Sequence, residues 1–283
     1  MSPNAVLTPA AGLVFFIMAT CLAGDGKVID LAKPVGDSLT PDGFYWSFDE
    51  GIEGESQPPR VGDLSGNGFD GVLHTYGSDP KPTYAPGKFG TGILLERHGT
   101  AFWSERQGTK LDAPELGTKG MPFTGGVWFK MEDLKLRSHV LLQKNAYGQG
   151  WRFILYKMDN LASGNQDEGG TEAADGTQWS ISFQHGRAVS EQDQIKPKHP
   201  MTLPTGIFAD RQWHHLGFSI APGPEPMEST VTYWLDGEPF ETIISKSLWE
   251  DPTPNGQFFQ AGKISSGLMD DAFVTSGIHT FKK

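Results

Sequence analysis

Short runs in which apolar and polar residues alternate recur along most of this chain. In the run 43–48, Phe44, Trp46 and Phe48 fall on one side, because successive side chains of a β-strand point to opposite faces. Turn-forming pairs such as Asp236-Gly237 separate the runs. No segment shows a convincing helical period. The pattern therefore predicts about a dozen short strands packed as two antiparallel sheets.

The predicted strands begin at residue 43 and continue almost to residue 283. They occupy residues 43–48, 69–74, 92–95, 101–103, 123–131, 140–143, 151–157, 179–183, 213–220, 231–235, 258–264 and 272–274. The 36 glycines and 20 prolines supply turns, and the 11% aromatic residues favour strands. All-β sandwiches commonly run to roughly 200 to 250 residues as one unit. The sequence therefore predicts a single domain over residues 43–283.

The N-terminus has the features of a secretory signal. The first 23 residues contain no Asp, Glu, Lys or Arg, and Ala10 to Ala19 is an apolar run of the length of a signal-peptide core. This run is too short to span a bilayer, which needs about 20 apolar residues. Cys21 and Ala23 are small residues that suit a cleavage site. The sequence predicts a signal peptide at residues 1–23, a polar linker at residues 24–42, and a secreted, periplasmic or envelope location.

Cys21 is the only cysteine in the chain. No intramolecular disulfide can therefore stabilise the fold. A lipid anchor on Cys21 is the minority alternative to cleavage after Ala23, because Thr20 is a poor residue to precede a lipidated cysteine.

The formal net charge is -11, and the predicted signal peptide carries none of it. An acidic surface repels the phosphate backbone of nucleic acids. The sequence therefore predicts no nucleic-acid partner, and a neutral sugar, a cation or a basic surface is easier to accommodate.

Seven segments, in order, resemble the LamG-like jelly-roll family of the concanavalin A-like lectin and glucanase superfamily. They are Trp46–Gly51, Asp63–Gly71, Gly87–Gly90, Phe123–Lys130, Gln212–His215, Tyr233–Gly237 and Gly267–Asp271. The resemblance implies an all-β fold, a two-sheet antiparallel jelly-roll β-sandwich of concanavalin A-like type, often secreted and often with bound calcium. It also implies a binding module for carbohydrate or another extracellular ligand, whose identity the fold does not give.

One loop places the oxygen-bearing side chains of Asp63, Ser65 and Asn67 at alternate positions before a glycine. Loops wrap such oxygens around Ca²⁺, but the same residues also form metal-free Asx turns. The resemblance implies that the first and last strands lie together, so Asp270 near the last strand is a candidate calcium ligand. Asp49 is a further candidate. The predicted structural calcium site therefore comprises Asp49, Asp63, Asn67 and Asp270.

Strand alternation places Trp128, Trp213, His215 and Trp234 on the side of their strands opposite the main apolar residues. Two interpretations are open. Loops could cover these side chains and form a second small core, or the side chains could form a concave aromatic platform on which sugar rings stack. The second interpretation predicts these four residues as the ligand-binding site.

The sequence offers no matched catalytic acids. Retaining glucanases of the resembled superfamily carry Glu-x-Asp-x-x-Glu on one strand, but the nearest match here, Glu191-Gln192-Asp193, is followed by Lys196 in a polar stretch. Gly-x-Ser-x-Gly and His-Glu-x-x-His motifs are also missing from the sequence. We therefore expect a non-catalytic module. The alternatives are a polysaccharide hydrolase or lyase, and a structural or adhesive component of the cell envelope.

Overall fold

The structure is a computed structural model. It describes residues 26–39, 43–54, 60–75, 82–95, 100–104, 122–132, 138–146, 149–157, 178–185, 201–225, 228–245, 259–263 and 266–283. These residues form eighteen β-strands and one turn of 3-10 helix at Val35–Asp37. Within the described ranges, no helix has the length and apolar character needed to cross a membrane.

The strands follow one another along the whole described chain. They are β1 Val28–Asp30, β2 Phe44–Trp46, β3 Arg60–Val61, β4 Gly71–Thr75, β5 Thr83–Pro86, β6 Thr91–Leu95, β7 Thr100–Ser104, β8 Phe123–Met131, β9 Ser138–Ala146, β10 Gln149–Lys157, β11 Trp179–His185, β12 Met201–Thr202, β13 His214–Pro222, β14 Ser229–Leu235, β15 Glu238–Ser245, β16 Phe259–Lys263, β17 Gly267–Ser276 and β18 Thr280–Lys282.

Sixteen of these strands form two antiparallel sheets. Sheet I has the order β12-β11-β10-β9-β16-β7-β4-β3, and sheet II has the order β15-β14-β13-β8-β17-β6-β5, with β2 also paired to β17. The remaining two, β1 and β18, form a separate parallel pair. The chain is therefore a two-sheet antiparallel β-sandwich of jelly-roll type, and the predicted fold class is confirmed.

The main core lies between the two sheets and is rich in aromatic side chains. Phe44, Trp46 and Phe48 are fully buried there, as the alternation in the first run predicts. Val127 and Phe129 of β8 enter the same core from sheet II. Complete burial of each large apolar side chain stabilises the fold by about 1.5–3 kcal/mol. The two sheets therefore pack through the faces on which the period-two pattern places these side chains.

Residues 26–39, here called the N-terminal strap, pack on the outer face of sheet II. Val28–Asp30 pairs with Thr280–Lys282, and the Val35 amide donates a hydrogen bond to the Asp271 carboxylate at 3.1 Å. Ile29 and Val35 are fully buried.

The strap corrects one expectation. The predicted polar linker at residues 24–42 is part of the folded domain over residues 26–39, because its few apolar residues find a complementary apolar face. The signal peptide predicted at residues 1–23, with Cys21, lies outside the described residues.

Candidate functional site

The aromatic residues predicted to bind ligand lie on the outer face of sheet II, as strand alternation indicates. Trp128 is 2% exposed, His215 is fully buried, and Trp234 is 8% exposed. Trp213 is half-buried and packs at the edge of the same group. Their side of the sheet is therefore as predicted, but their accessibility is not.

The N-terminal strap and the last strand cover this aromatic face. Ile29, Leu31, Val35 and Leu39 form a second apolar core with Trp128, Trp234, Tyr45, Phe273 and Phe281. The structure thus shows the second-core interpretation and corrects the open platform predicted from Trp128, Trp213, His215 and Trp234. Stacking of a sugar ring needs an exposed aromatic face, which the buried indoles of this core do not provide.

His215 is embedded in the second core without a polar environment. Its ring centroid lies 4.7 Å from that of Phe281 and 5.5 Å from that of Trp128. Within the described part of the chain, neither of its ring nitrogens has a hydrogen-bond partner. Burial lowers the pKa of His215 to about 3, so the ring is neutral near pH 7. His215 is therefore a core residue in this conformation.

The loop predicted to wrap around calcium is held together by its own hydrogen bonds. The Asp63 carboxylate accepts hydrogen bonds from the amides of Tyr45 at 2.9 Å, Ser65 at 3.0 Å and Phe69 at 2.9 Å. The Asn67 side-chain amide donates to the Gly43 carbonyl at 3.2 Å. These contacts are the Asx-turn arrangement that the same residues allow without a metal.

The other two predicted calcium ligands hold a different loop. Asp49 accepts a hydrogen bond from the Thr91 amide, and Asp270 accepts one from the Phe89 amide, each at 2.9 Å. Both residues therefore fix the turn between β5 and β6. Among the described residues, no group of three or more His, Cys, Asp or Glu side chains is arranged to hold a metal ion. Asp63 and Asn67 therefore hold one loop, Asp49 and Asp270 hold another, and the calcium site predicted from these four residues stays a prediction.

Two consecutive aspartates of β17 are buried at an irregularity in the strand. The register shifts between Asp270 and Phe273, and Asp271 has a φ of 47°. A bulge of this kind redirects side chains, and both carboxyl groups are almost fully buried. Burial raises the pKa of Asp270 to about 8, with a further contribution from Asp271, and burial raises the pKa of Asp271 to about 7.

A hollow of about 260 Å³ lies between the N-terminal strap and β2. Asp37 and Asp49 are among its lining residues, together with Tyr45 and Ser47. The Tyr45 hydroxyl donates a hydrogen bond to the Asp271 carboxylate at 2.6 Å. Carboxylates favour a cation over an anion in such a space.

A second surface lies on the outer side of sheet I. It contains Arg152, Gln143 and Gln260 and is here called the Arg152 face. In β10, Trp151, Phe153 and Leu155 belong to the main core, so Arg152 points to the opposite side. Arg152 pairs in register with Gln143 of β9, and Gln143 pairs with Gln260 of β16. Directly opposed residues share a face, so the three side chains form one row across three strands.

The row is ordered by side-chain hydrogen bonding. The Gln143 amide nitrogen donates to the Gln260 amide oxygen, and both residues are 2% exposed. Arg152 is half-buried and so remains reachable from solvent. Its Nε atom is buried and has no hydrogen-bond partner within the described ranges, and the same holds for the Ser182 hydroxyl on this face. Burial lowers the pKa of Arg152.

The charge of sheet I differs from that of the whole chain. Its eight strands contain no Asp or Glu, although the full sequence has 34 of them. They contain the basic residues Arg60, Lys144, Arg152, Lys157 and Lys263. The strands of sheet II, in contrast, carry Glu238, Glu241, Asp270 and Asp271. The strands of sheet I therefore carry a charge opposite in sign to the net charge of -11, with Lys144 and Lys157 buried on the core side.

None of the predicted site residues lies on the Arg152 face, although the sequence contains a signal for it. Residues 149–157 alternate large apolar residues with Arg152, Ile154 and Tyr156. A tryptophan on the outer face of a strand indicates a sugar site more directly than a single arginine within an apolar run. The motif at Glu191-Gln192-Asp193 lies outside the described residues.

Comparisons with known proteins identify no family. No protein-family model matches the chain, and no curated protein matches it. One solved structure with a similar fold is domain 4 of an extracellular arabinanase from Geobacillus stearothermophilus in complex with arabinotriose. The identity is 16%, the match covers 83% of this chain and 92% of that chain, and the TM-score is 0.46.

Two further similar structures belong to botulinum neurotoxins. The binding domain of neurotoxin DC, in complex with rat synaptotagmin II, is 9% identical over 82% of this chain and 47% of that chain, with a TM-score of 0.47. A type C structure, described by its dependence on two ganglioside molecules for cell entry, is 8% identical over 83% and 48%, with a TM-score of 0.46. This chain spans about half the length of these toxin chains. Likenesses at this level carry no argument about ligand.

Proposed function

We propose that this chain is a non-catalytic extracellular module that binds carbohydrate on the Arg152 face of sheet I. The observation that carries the proposal is the row of Arg152, Gln143 and Gln260, in which planar hydrogen-bonding side chains are aligned across three strands. The location follows from the predicted signal peptide.

The chemistry of the row suits a saccharide. A sugar hydroxyl or ring oxygen accepts hydrogen bonds, and the guanidinium of Arg152 offers several donors to such oxygens. The buried link between Gln143 and Gln260 holds the row in place, and a pre-ordered site loses less entropy on binding. Arg152, which is half-buried, supplies the accessible end. Ligand sites combine a few placed polar groups with an apolar surround, and Val140 and Ile154 supply apolar neighbours here.

The absence of Asp and Glu from the eight strands of sheet I supports binding over hydrolysis at this face. Glycoside hydrolysis generally requires a pair of carboxyl groups on either side of the scissile bond. The net charge of -11 disfavours nucleic acid as the partner.

A glycan array followed by calorimetry tests the proposal. The chain from Gly24 to Lys283 should bind at least one glycan class. Gln143→Leu removes the buried amide that orders the row beside Arg152 while keeping most of the side-chain volume, and should weaken that binding by about tenfold because the site is no longer pre-ordered. Thr242→Ala, at an exposed position of sheet II, is the matched control and should bind as the parent does. Melting temperatures of all variants establish that they are folded.

Three results would contradict the proposal. If the chain binds no glycan on the array, a structural or adhesive role is favoured. Release of new sugar ends from a polysaccharide panel would establish an enzyme. Loss of binding in Trp213→Ala, with Gln143→Leu unaffected, would return the site to the edge of the aromatic face on sheet II.

A further inference from the structure

Arg152 is a cation within an otherwise apolar strand. Its sequence neighbours Trp151 and Phe153 are buried in the main core, and the aliphatic part of Arg152 lies on the opposite face of sheet I. Its Nε atom is buried and has no hydrogen-bond partner in the part of the chain that the structure describes. No ion pair of Arg152 with a described carboxylate is present either.

Such a group is unfavourable unless an anion joins it. A guanidinium stays charged at any physiological pH, so burial cannot be relieved by loss of a proton. A buried donor without hydration or a hydrogen-bond partner lowers the stability of the fold by roughly 1–3 kcal/mol, and by more when the donor is charged. An arriving carboxylate or sulfate would remove this cost and form a charge-assisted, often bidentate, pair.

Among the described residues, the strands around Arg152 supply no anion that competes for it. The eight strands of sheet I contain no Asp or Glu that could pair with it. Lys144 and Lys157 lie on the core side of sheet I, over the rings of Phe259 and Trp179, so they do not share the face of Arg152. Distant carboxylates oppose an anion weakly, because charges in solvent are screened beyond about 8 Å at physiological ionic strength. A single guanidinium without a described carboxylate partner can therefore pair with one anionic group despite the net charge of -11.

We propose that the saccharide bound on the Arg152 face is acidic, and that its carboxylate or sulfate group pairs with the Arg152 guanidinium. This inference rests on the proposed function and narrows it to one class of glycan. Gln143, directly opposite Arg152 in the ladder and 2% exposed, is then a positioning residue that orders the row beside Arg152.

Calorimetry with charged and neutral polysaccharides tests this inference on the chain from Gly24 to Lys283. Hyaluronan, polygalacturonate and heparin are the anionic probes, and dextran and galactan are the neutral ones. At least one anionic probe should bind about tenfold more tightly than the neutral probes. Arg152→Gln should remove that preference, and Arg152→Lys should restore part of it, because an ammonium keeps the charge but not the planar fork.

Stability measurements separate a binding role from a structural one. Because the guanidinium has no described partner, Arg152→Gln should leave the melting temperature unchanged or raise it. Lys130→Gln on sheet II, which removes the charge that lies 3.2 Å from Glu132, is the control for loss of one positive charge and should keep the anionic preference.

Failure of the acidic-ligand inference can be distinguished from failure of the carbohydrate-binding proposal. Equal binding of neutral and anionic probes, unaffected by Arg152→Gln, would overturn the acidic-ligand inference and leave the carbohydrate-binding proposal standing. No binding of any probe, together with no binding on the glycan array, would overturn both. A lower melting temperature in Arg152→Gln with unchanged binding would show that Arg152 is structural.

Discussion

His214, at the start of β13, lies between two carboxylates. Its Nδ1 atom is 2.8 Å from an oxygen of Asp236, and its Nε2 atom is 3.3 Å from Asp210. Burial by itself lowers the pKa of His214, but hydrogen bonds and charge from Asp236 and Asp210 outweigh burial and raise the pKa above 6.5. The protonated ring donates to both carboxylates. Folding therefore favours the charged form.

This arrangement predicts a pH-dependent contribution to stability. A histidine whose pKa is raised by folding stabilises the fold fully below its unfolded pKa, and the effect is lost as pH rises through the folded pKa. The contribution of His214 to the unfolding free energy should therefore be smaller at about pH 8 than at about pH 6. His214→Gln should make that fall smaller by about 1 kcal/mol, the size of a partly exposed ion pair. Urea denaturation at both pH values measures it.

The control is Thr242→Ala, which removes no ionisable group and lies at an exposed position of sheet II. It should leave the pH dependence as it is in the parent chain. An unchanged pH dependence in His214→Gln would contradict the role assigned to the two carboxylates.

Among the elements, the N-terminal strap has the largest effect on what sheet II can do. Its strand β1 alternates between the exposed Val28, 50% accessible, and the fully buried Ile29. Ile29 belongs to the second core with Trp128 and Trp234. The strap is therefore held by apolar burial as well as by its ladder with Thr280–Lys282.

Substitutions in β1 test this account within one strand. Ile29→Ala should lower the unfolding free energy by about 2–5 kcal/mol, because it removes buried methyl groups and leaves a cavity. Val28→Ala, at the adjacent exposed position, should cost less than about 1 kcal/mol. Denaturant unfolding gives both values. Equal costs would show that the strap does not pack on sheet II as described.

At the scale of the whole molecule, the calcium implied by the family resemblance stays a prediction. The described residues show no group of three ligands, but the hollow beside Asp37 and Asp49 has the charge that suits a cation. If calcium binds the folded chain and not the unfolded chain, it raises the melting temperature by mass action. We expect a higher melting temperature in calcium chloride than in EGTA, measured by scanning calorimetry.

A substitution locates that effect. Asp49→Asn should reduce the calcium-dependent rise, whereas Asp63→Asn should not, because Asp63 is occupied by three backbone amides. Identical melting temperatures of the parent chain in both solutions would remove calcium from the description of this protein.

Alternation along each strand is a local property, so the sequence alone determined the two-sheet fold and the face on which Trp128 and Trp234 lie. Tertiary structure decided which outer face is covered. The contact between Val35 and Asp271 joins residues 236 positions apart, and no periodicity within a strand encodes it. The same reason applies to Gln260, which β16 brings beside Gln143 from 117 positions away, whereas Gln143 and Arg152 lie on consecutive strands. Local pattern gives the orientation of a side chain, whereas its neighbours across the sheet and above it give its accessibility and its chemistry.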